Sequence, residues 1–120
     1  MADWRLAAPA EAQLARILAD SSQGWGAPGR DRYAALLIAA MQDVADEPDR
    51  IGSKRIEGEL RVYHIRHSRR RVTDPPGPVR RPRHLLVYER APDGIVDIVG
   101  MFYDGIPLDL GVRRVLDGWF

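Results

Sequence analysis

The chain has 120 residues, of which 45% are hydrophobic and 29% are charged, so it can bury the core of one domain and is not a disordered chain. It contains no cysteine, which excludes a disulfide framework, a thiolate zinc site and a cysteine nucleophile. The longest apolar run, Ala34 to Met41, is far too short to span a membrane, and the charged start Met1 to Arg5 does not resemble a signal peptide. We therefore expect a cytoplasmic protein with one domain over residues 1–120.

The net charge of +1 conceals an uneven distribution along the chain. Residues 50–90 contain eleven arginines and one lysine against four acids, a net charge of +8, whereas both flanks are acidic. A basic block of this kind predicts an acidic partner or a phosphate backbone, and the competing interpretation is an arginine-rich solvated loop.

The first half of the chain has the pattern of two helices. Trp4-Arg5-Leu6 is compatible with a short strand, and Pro9 suits the first turn of a helix over 9–22. The glycine-rich stretch from Gly24 to Gly29 predicts a turn, and a second apolar stripe predicts a helix over 30–46. Because the turn is short, the two helices should form an antiparallel hairpin.

The second half has the pattern of an antiparallel meander. Strands are predicted over 60–66, 83–90 and 95–102, with a hairpin turn at Ala91-Pro92-Asp93-Gly94. Residues 67–82 are predicted to form a long exposed loop, and the tail from Pro107 should form a short helix that ends in Trp119-Phe120. The expected fold class is α+β, a helical hairpin packed on a small antiparallel sheet in the order β-α-α-β-β-β.

The ordered set of segments resembles the RelE/ParE superfamily of type II toxins, and its ParE-like branch most. Segments in family order are Trp4 to Leu14, Arg32-Tyr33, Pro48 to Gly52, Leu60 to Tyr63, Arg83 to Tyr88 and Gly94 to Val99. The resemblance implies the β-α-α-β-β-β fold, no cofactor and a cognate acidic ParD-like antitoxin. DNA gyrase is the target that the ParE-like branch implies, without hydrolytic chemistry.

Two departures from the family pattern bear on mechanism. The loop over 67–82 is longer than usual, and Gly100 stands where the nuclease pattern often has an arginine. RelE-type members cleave mRNA, which needs a general base, a cation for the transition state and a general acid. If this chain were such a ribosome-dependent endoribonuclease, the candidate catalytic residues would be Arg61, Arg83, His84 and Tyr103. The missing arginine favours the gyrase-directed branch, and an inactive relic that still pairs with an antitoxin remains a third alternative.

The residues expected to contact a partner or target lie in the basic block and at the end of the last strand. They are Arg69, Arg70, Arg71, Arg80, Arg81, Arg83, Tyr103 and Asp104. No aromatic residue interleaves these arginines in the sequence, so direct nucleic-acid binding is the minor interpretation. Metal binding by His64, His67 and His84 is not expected, because residues three apart on a strand point to opposite faces.

Overall fold

A computed structural model describes residues 3–73 and 79–118. The elements in chain order are β1 (Trp4–Leu6), α1 (Ala8–Asp46), β2 (Ser53–Glu57), β3 (Leu60–His64), a 3-10 helix (Ile65–Arg71), β4 (His84–Arg90), β5 (Val96–Tyr103) and α2 (Leu108–Asp117). This arrangement confirms the α+β class and the predicted order of helices and strands.

The two predicted helices are the two halves of α1, which is broken at one residue. Gly26 has φ +74° and ψ −176°, values that interrupt the helix and that glycine adopts without a Cβ penalty. Pro28 follows two residues later, close to the start of the second half, where its missing N–H breaks no helical hydrogen bond. Helical geometry extends almost to this break from both sides, so the turn predicted from Gly24 to Gly29 is much shorter than expected.

Both halves of α1 pack on the same face of the sheet. Ala10 from the first half and Leu37 and Met41 from the second are fully buried in one apolar cluster, together with Leu86 and Ile98 of the sheet. Sharing one cluster brings the two halves of the hairpin together over the strands. The hydrophobic effect therefore stabilises the hairpin and the sheet jointly.

The sheet has five strands in the order β1-β5-β4-β3-β2. The pairs β2/β3, β3/β4 and β4/β5 are antiparallel, and the turn at Ala91–Gly94 is confirmed by a 2.8 Å hydrogen bond from Ala91 N to Ile95 O. β1 pairs in parallel with β5, with Trp4 opposite Val96, so the sheet is mixed and the prediction of a purely antiparallel sheet was wrong. A parallel neighbour is possible because α1 provides the long crossover that parallel pairing requires.

The opposite face of the sheet is covered by α2. Val112 and Val115 pack against Leu60, Val62 and other residues on that face, whereas Tyr63 of the same strand faces α1. β3 is buried along its whole length for this reason. Residues 60–64 therefore lack the simple alternation of apolar and polar residues that marks a strand with one face in water.

Two elements were not predicted. β2 lies at the sheet edge with an exposed Lys54 and Arg55, a composition that gave no strand signal. The 3-10 helix over Ile65–Arg71 occupies the start of the predicted loop over 67–82, so that part of the loop prediction was wrong. Trp119 and Phe120, which were expected to end the C-terminal helix, lie outside the described residues.

Candidate functional site

A polar network joins the end of β3 to the end of β5. The backbone N–H of Arg66 donates to Nδ1 of His64 at 3.0 Å, so that nitrogen carries no proton and Nε2 donates to Oδ2 of Asp104 at 2.9 Å. Nε of Arg83 donates to the other carboxylate oxygen at 2.8 Å. Partial burial opposes ionisation of Asp104, but these two hydrogen bonds hold the pKa of its carboxyl below the usual value.

A second network starts from α1 and meets the first at the beginning of β4. The Tyr33 hydroxyl accepts a hydrogen bond from the Arg83 backbone N–H at 3.0 Å and lies 2.6 Å from Nδ1 of His84. Burial lowers the pKa of His84 to about 4, although Asp104 opposes this shift, so His84 is neutral at pH 7 and its Nδ1 accepts the Tyr33 proton. Burial also raises the pKa of Tyr33 to about 12. Tyr33 and His84 are therefore both uncharged at pH 7 and hydrogen-bonded to each other.

Tyr103 completes the wall of this site at the end of β5. The Arg83 guanidinium lies 4.8 Å from the centre of the Tyr103 ring, within the range of a cation–π contact. His84 meets the same ring edge-on at 6.1 Å. A Cβ on Gly105 would lie 2.3 Å from the Tyr103 ring, so the glycine leaves room for the ring to fold back over the turn. Tyr103 is held in place while remaining 45% exposed.

Two adjoining depressions open at this end of the sheet, and they share three arginines. The first, which we call the basic cleft, is a wide opening of about 680 Å³ with one carboxylate, that of Asp104, among its described lining residues. Its other charged or titratable residues are His64, Arg66, His67, Arg69, Arg80, Arg81 and Arg83. The excess of guanidinium groups makes this surface attractive to anions.

The second depression, which we call the aromatic groove, is a more enclosed space of about 690 Å³ between the tip of the hairpin and the sheet. It is lined by Ser21, Trp25, Pro28, Gly29, Arg32, Tyr33, Val79, Arg80, Arg81, Arg83, His84 and Tyr103. No carboxylate is among these described lining residues. The groove therefore combines aromatic faces with four guanidinium groups.

The structure brings together most of the residues that the sequence singled out, but not Arg61. Arg83, His84, Tyr103 and Asp104 form one site. Arg61 pairs in the sheet with Tyr88, four residues or about 13 Å along β4 from His84. It is 4% exposed and donates to Asp49 Oδ1 at 2.7 Å and to the Glu59 carbonyl at 3.3 Å. The structure therefore places Arg61 apart from the other candidate catalytic residues, at the end of β3 where β2 begins its pairing.

The three consecutive arginines of the basic block have different surroundings. Arg69 is partly buried and its Nε donates to the Val79 carbonyl at 2.6 Å, while Arg71 Nε lies 3.3 Å from Oδ1 of the buried Asp43. Arg70 is exposed and has no ion pair with the residues that the structure describes. Only Arg70 of the three has the surroundings of a free surface cation, whereas Arg69 and Arg71 fasten the 3-10 helix.

Gly100 is buried, at the position where the nuclease pattern often has an arginine. A Cβ at this position would be 2.5 Å from Cγ1 of Val115 and 2.8 Å from Oε1 of Gln13. Because side chains of α1 and α2 both lie against Gly100, a side chain at this strand position would clash with them.

The sequence prediction missed Tyr33, His64, Arg32 and Trp25 as site residues. Tyr33 was assigned only to the core stripe of its helix, and Trp25 lay in the predicted turn. Their roles depend on where the hairpin tip meets the sheet, and no local pattern carries that information. The one available signal was the mixed character of Tyr33, a large apolar ring with a hydroxyl that needs a partner when buried.

The described part of the chain contains neither a metal cluster nor a membrane span. Within residues 3–73 and 79–118, no group of three or more His, Asp or Glu side chains is arranged to hold a metal ion. No helix over the same ranges has the length and apolar character needed to cross a membrane.

The hairpin on a mixed five-stranded sheet, with a polar site at one sheet end, agrees with the fold that the resemblance to RelE/ParE toxins implied. A scan against protein-family models matches residues 5–102 to the family described as "ParE toxin of type II toxin-antitoxin system, parDE". The chain therefore belongs to the ParE toxin family, and it is the toxin component of a type II system in which an antitoxin is the partner. A search of curated proteins finds no significant match.

Proposed function

We propose that this toxin inhibits DNA gyrase by protein–protein contact and that a ParD-like antitoxin with an acidic segment neutralises it. The observation that carries the proposal is the closed environment of Gly100, where neither Val115 nor Gln13 leaves space for a side chain. A nuclease of the related type would use that strand position for a cation. Family membership supports the toxin class, and the lack of space for a side chain at Gly100 favours a non-hydrolytic mode of action.

The remaining polar groups are also poorly suited to RNA cleavage at neutral pH. Burial lowers the pKa of His84 to about 4, so the ring is a neutral imidazole at pH 7 and a poor general acid for a leaving oxygen. The Arg83 side chain is engaged by Asp104, which reduces its capacity to neutralise a transition-state phosphate. A RelE-type endoribonuclease is thus the alternative that the site supports less well.

The toxin mechanism can be tested with purified protein and with cells. We expect the toxin to inhibit gyrase supercoiling in a reaction without ribosomes, and we expect no discrete cuts in mRNA when transcripts are mapped by primer extension after induction. Codon-specific cuts together with unaffected supercoiling would establish the nuclease alternative instead.

The variant Tyr103→Phe sharpens this test because it removes one hydroxyl and keeps the ring that stacks on Arg83. A contact toxin should keep most of its potency in this variant, whereas a nuclease that draws a proton from Tyr103 should lose most of its activity. Potency is measured as the toxin concentration that halves gyrase supercoiling and as growth arrest after induction.

For the antitoxin, the proposed contact surface is the basic cleft and the exposed arginines beside it. Arg70 and Arg81 are both exposed and form no ion pair with a described residue, so they can meet an acidic segment without breaking internal contacts. Charge at the rim of an interface acts mainly on the rate of association and is weakened by salt. Arg69 and Arg71 are excluded from the test because their reversal would release the 3-10 helix.

The experiment compares R70E/R81E with the matched control R16E/R113E, which reverses two exposed arginines away from the cleft. We expect the first pair to slow association with the cognate antitoxin several-fold at low salt, with little difference at high salt, and the control pair to have little effect. Equal association rates for both pairs would mean that the basic cleft does not guide the antitoxin.

A further inference from the structure

The aromatic groove combines exposed aromatic faces with cations that are unpaired within the described part of the chain. Trp25 at the hairpin tip is 79% exposed, and Tyr103 on the opposite wall is 45% exposed. Large aromatic faces are normally withdrawn from water, and their exposure in a concave basic surface indicates a planar ligand.

Glycines leave room for both aromatic side chains. A Cβ on Gly29 would lie 2.3 Å from Cβ of Trp25, so the absence of a side chain lets Trp25 lie directly over the start of the second half of α1. Gly105 has the same relation to the Tyr103 ring, with a distance of 2.3 Å to Cε2. The Tyr103 ring is also oriented by Arg83 and His84, so it loses little conformational entropy when a base stacks on it.

The groove also supplies cations that lack internal partners. Arg32 has a buried Nε with no hydrogen-bond partner among the described residues, and Arg80 and Arg81 form no ion pair with any of them. Of the groove's four arginines, Arg83 alone is neutralised by a described carboxylate, that of Asp104. Unpaired guanidinium groups near exposed rings match a ligand that alternates flat bases with phosphates.

The shape of the surface points to a chain rather than to a single nucleotide. The aromatic groove adjoins the basic cleft, and Arg80, Arg81 and Arg83 line both. A ligand that stacks on Trp25 can therefore continue along these arginines toward Arg66. Duplex nucleic acid fits less well, because its bases are already stacked on one another.

Two of the three hydroxyl groups that line the described groove are engaged within the protein. The Tyr33 hydroxyl bonds to His84 and to the Arg83 N–H, and the Ser21 hydroxyl donates to the Ile17 carbonyl at 2.9 Å. Stacking on base faces and contact with phosphates are equally available to DNA and RNA, so we expect little selection for a 2′-OH.

We propose that the aromatic groove and the adjoining basic cleft bind single-stranded nucleic acid through stacking on Trp25 and Tyr103 and through phosphate contacts to Arg32, Arg80 and Arg81, with little preference between DNA and RNA. This binding goes beyond gyrase inhibition and does not depend on it. It involves no cleavage. The sequence offered no such indication, because Trp25 and Tyr103 are distant from the arginines along the chain and meet them only in the fold.

The test is fluorescence anisotropy with labelled single strands of about ten nucleotides, with the toxin free of antitoxin. We expect DNA and RNA to bind with similar affinity and the matching duplex to bind more weakly. The logarithm of the affinity should fall with the logarithm of the salt concentration with a slope of about −2 if Arg32, Arg80 and Arg81 contact phosphates. RNA binding without DNA binding would contradict the proposal, as would tighter binding of the duplex.

Variants separate stacking from charge. Trp25→Ala should weaken binding at least about five-fold while leaving the salt slope unchanged, because no charge is lost. Arg32→Gln should make the salt slope shallower by about 0.7, which corresponds to the loss of one phosphate contact. The controls Ile38→Ala, an exposed apolar residue elsewhere on α1, and Arg16→Gln should leave both affinity and slope unchanged.

Two further probes exclude charge alone as the cause. An oligonucleotide without bases should bind Trp25→Ala and the unmodified toxin equally well, and an oligoglutamate of the same charge should bind more weakly than the single strand. If oligoglutamate binds more tightly, or if Trp25→Ala weakens the base-free strand as much as the complete one, the stacking proposal is wrong. Circular dichroism of each variant checks that the fold is retained.

Discussion

Replacing Gly100 by alanine provides a direct test of how tightly α1 and α2 close over the last strand. The new Cβ would approach Cγ1 of Val115 to 2.5 Å and Oε1 of Gln13 to 2.8 Å, both closer than real Cβ contacts. Gln13 Oε1 also accepts the Met101 backbone N–H at 2.7 Å, so moving Gln13 aside would weaken a buried hydrogen bond. The substitution must therefore disturb the packing of Val115, the hydrogen bond of Gln13, or both.

The size of the effect follows from three contributions. Overpacking of a core costs about 1–3 kcal/mol, and weakening of the Gln13 hydrogen bond adds about 1 kcal/mol. The lower backbone entropy of alanine in the unfolded chain offsets about 0.5–1 kcal/mol. The free energy of unfolding should fall by about 1–3 kcal/mol, which for a domain of this size lowers the melting temperature by roughly 4–12 °C.

The assay is thermal unfolding followed by far-ultraviolet circular dichroism, with Gly24→Ala as the matched control. Gly24 is helical, and beyond its own helical turn no atom lies within 4 Å of the place that a Cβ would take. This control should leave stability unchanged or raise it by about 1 kcal/mol, because alanine is the better helix former. An unchanged melting temperature for Gly100→Ala would refute the close packing at this position and remove the main support for a non-hydrolytic toxin.

Two predictions concern the Tyr33–His84 pair. Tyr33→Phe leaves the Arg83 N–H and Nδ1 of His84 without their partner, and we expect it to lower the free energy of unfolding by about 1–3 kcal/mol, as measured in urea. The second is a pH dependence: because the His84 pKa falls from 6.5 to about 4 on folding, the unfolded chain takes up a proton first as pH decreases. The contribution of His84 to the free energy of unfolding is fully present above pH 6.5, and this free energy should be lower by about 2 kcal/mol at pH 5. His84→Phe should remove most of that decrease in pH-dependent urea unfolding, leaving the smaller contribution of His67, whose pKa burial also lowers; a decrease of unchanged size would contradict it.

The predictable part of the fold was the part with local periodicity. The apolar stripes of α1, the β4–β5 runs and the turn at Ala91–Gly94 each contain their signal within a few residues. The parallel pairing of β1 with β5 was not predictable in this way, because three residues carry no register and the partner lies 92 residues away. β2 escaped prediction because an exposed edge strand needs few apolar residues.

The site was predictable only where its residues cluster along the chain. Arg83 and His84 are adjacent, as are Tyr103 and Asp104, and all four meet in the structure. Arg61 has the chemistry of a catalytic cation, but it lies at the end of β3 that is far from His84. Its position depends on the register between β3 and β4. Trp25 depends on the single non-helical residue of α1, Gly26, which decides where the hairpin tip lies.

The parallel contact between β1 and β5 also has a consequence for the order of events during translation. Ribosomes add roughly 5–20 residues per second, so the 92 residues between Arg5 and its neighbour Asp97 take about 5–20 seconds to appear. During that time β1 has no partner strand, and the hydrogen bond from Ala7 N to Ile98 O cannot form. The first residues of the toxin are thus the first to be made and among the last to be fixed, and a partner already present can meet the nascent hairpin before the sheet is complete.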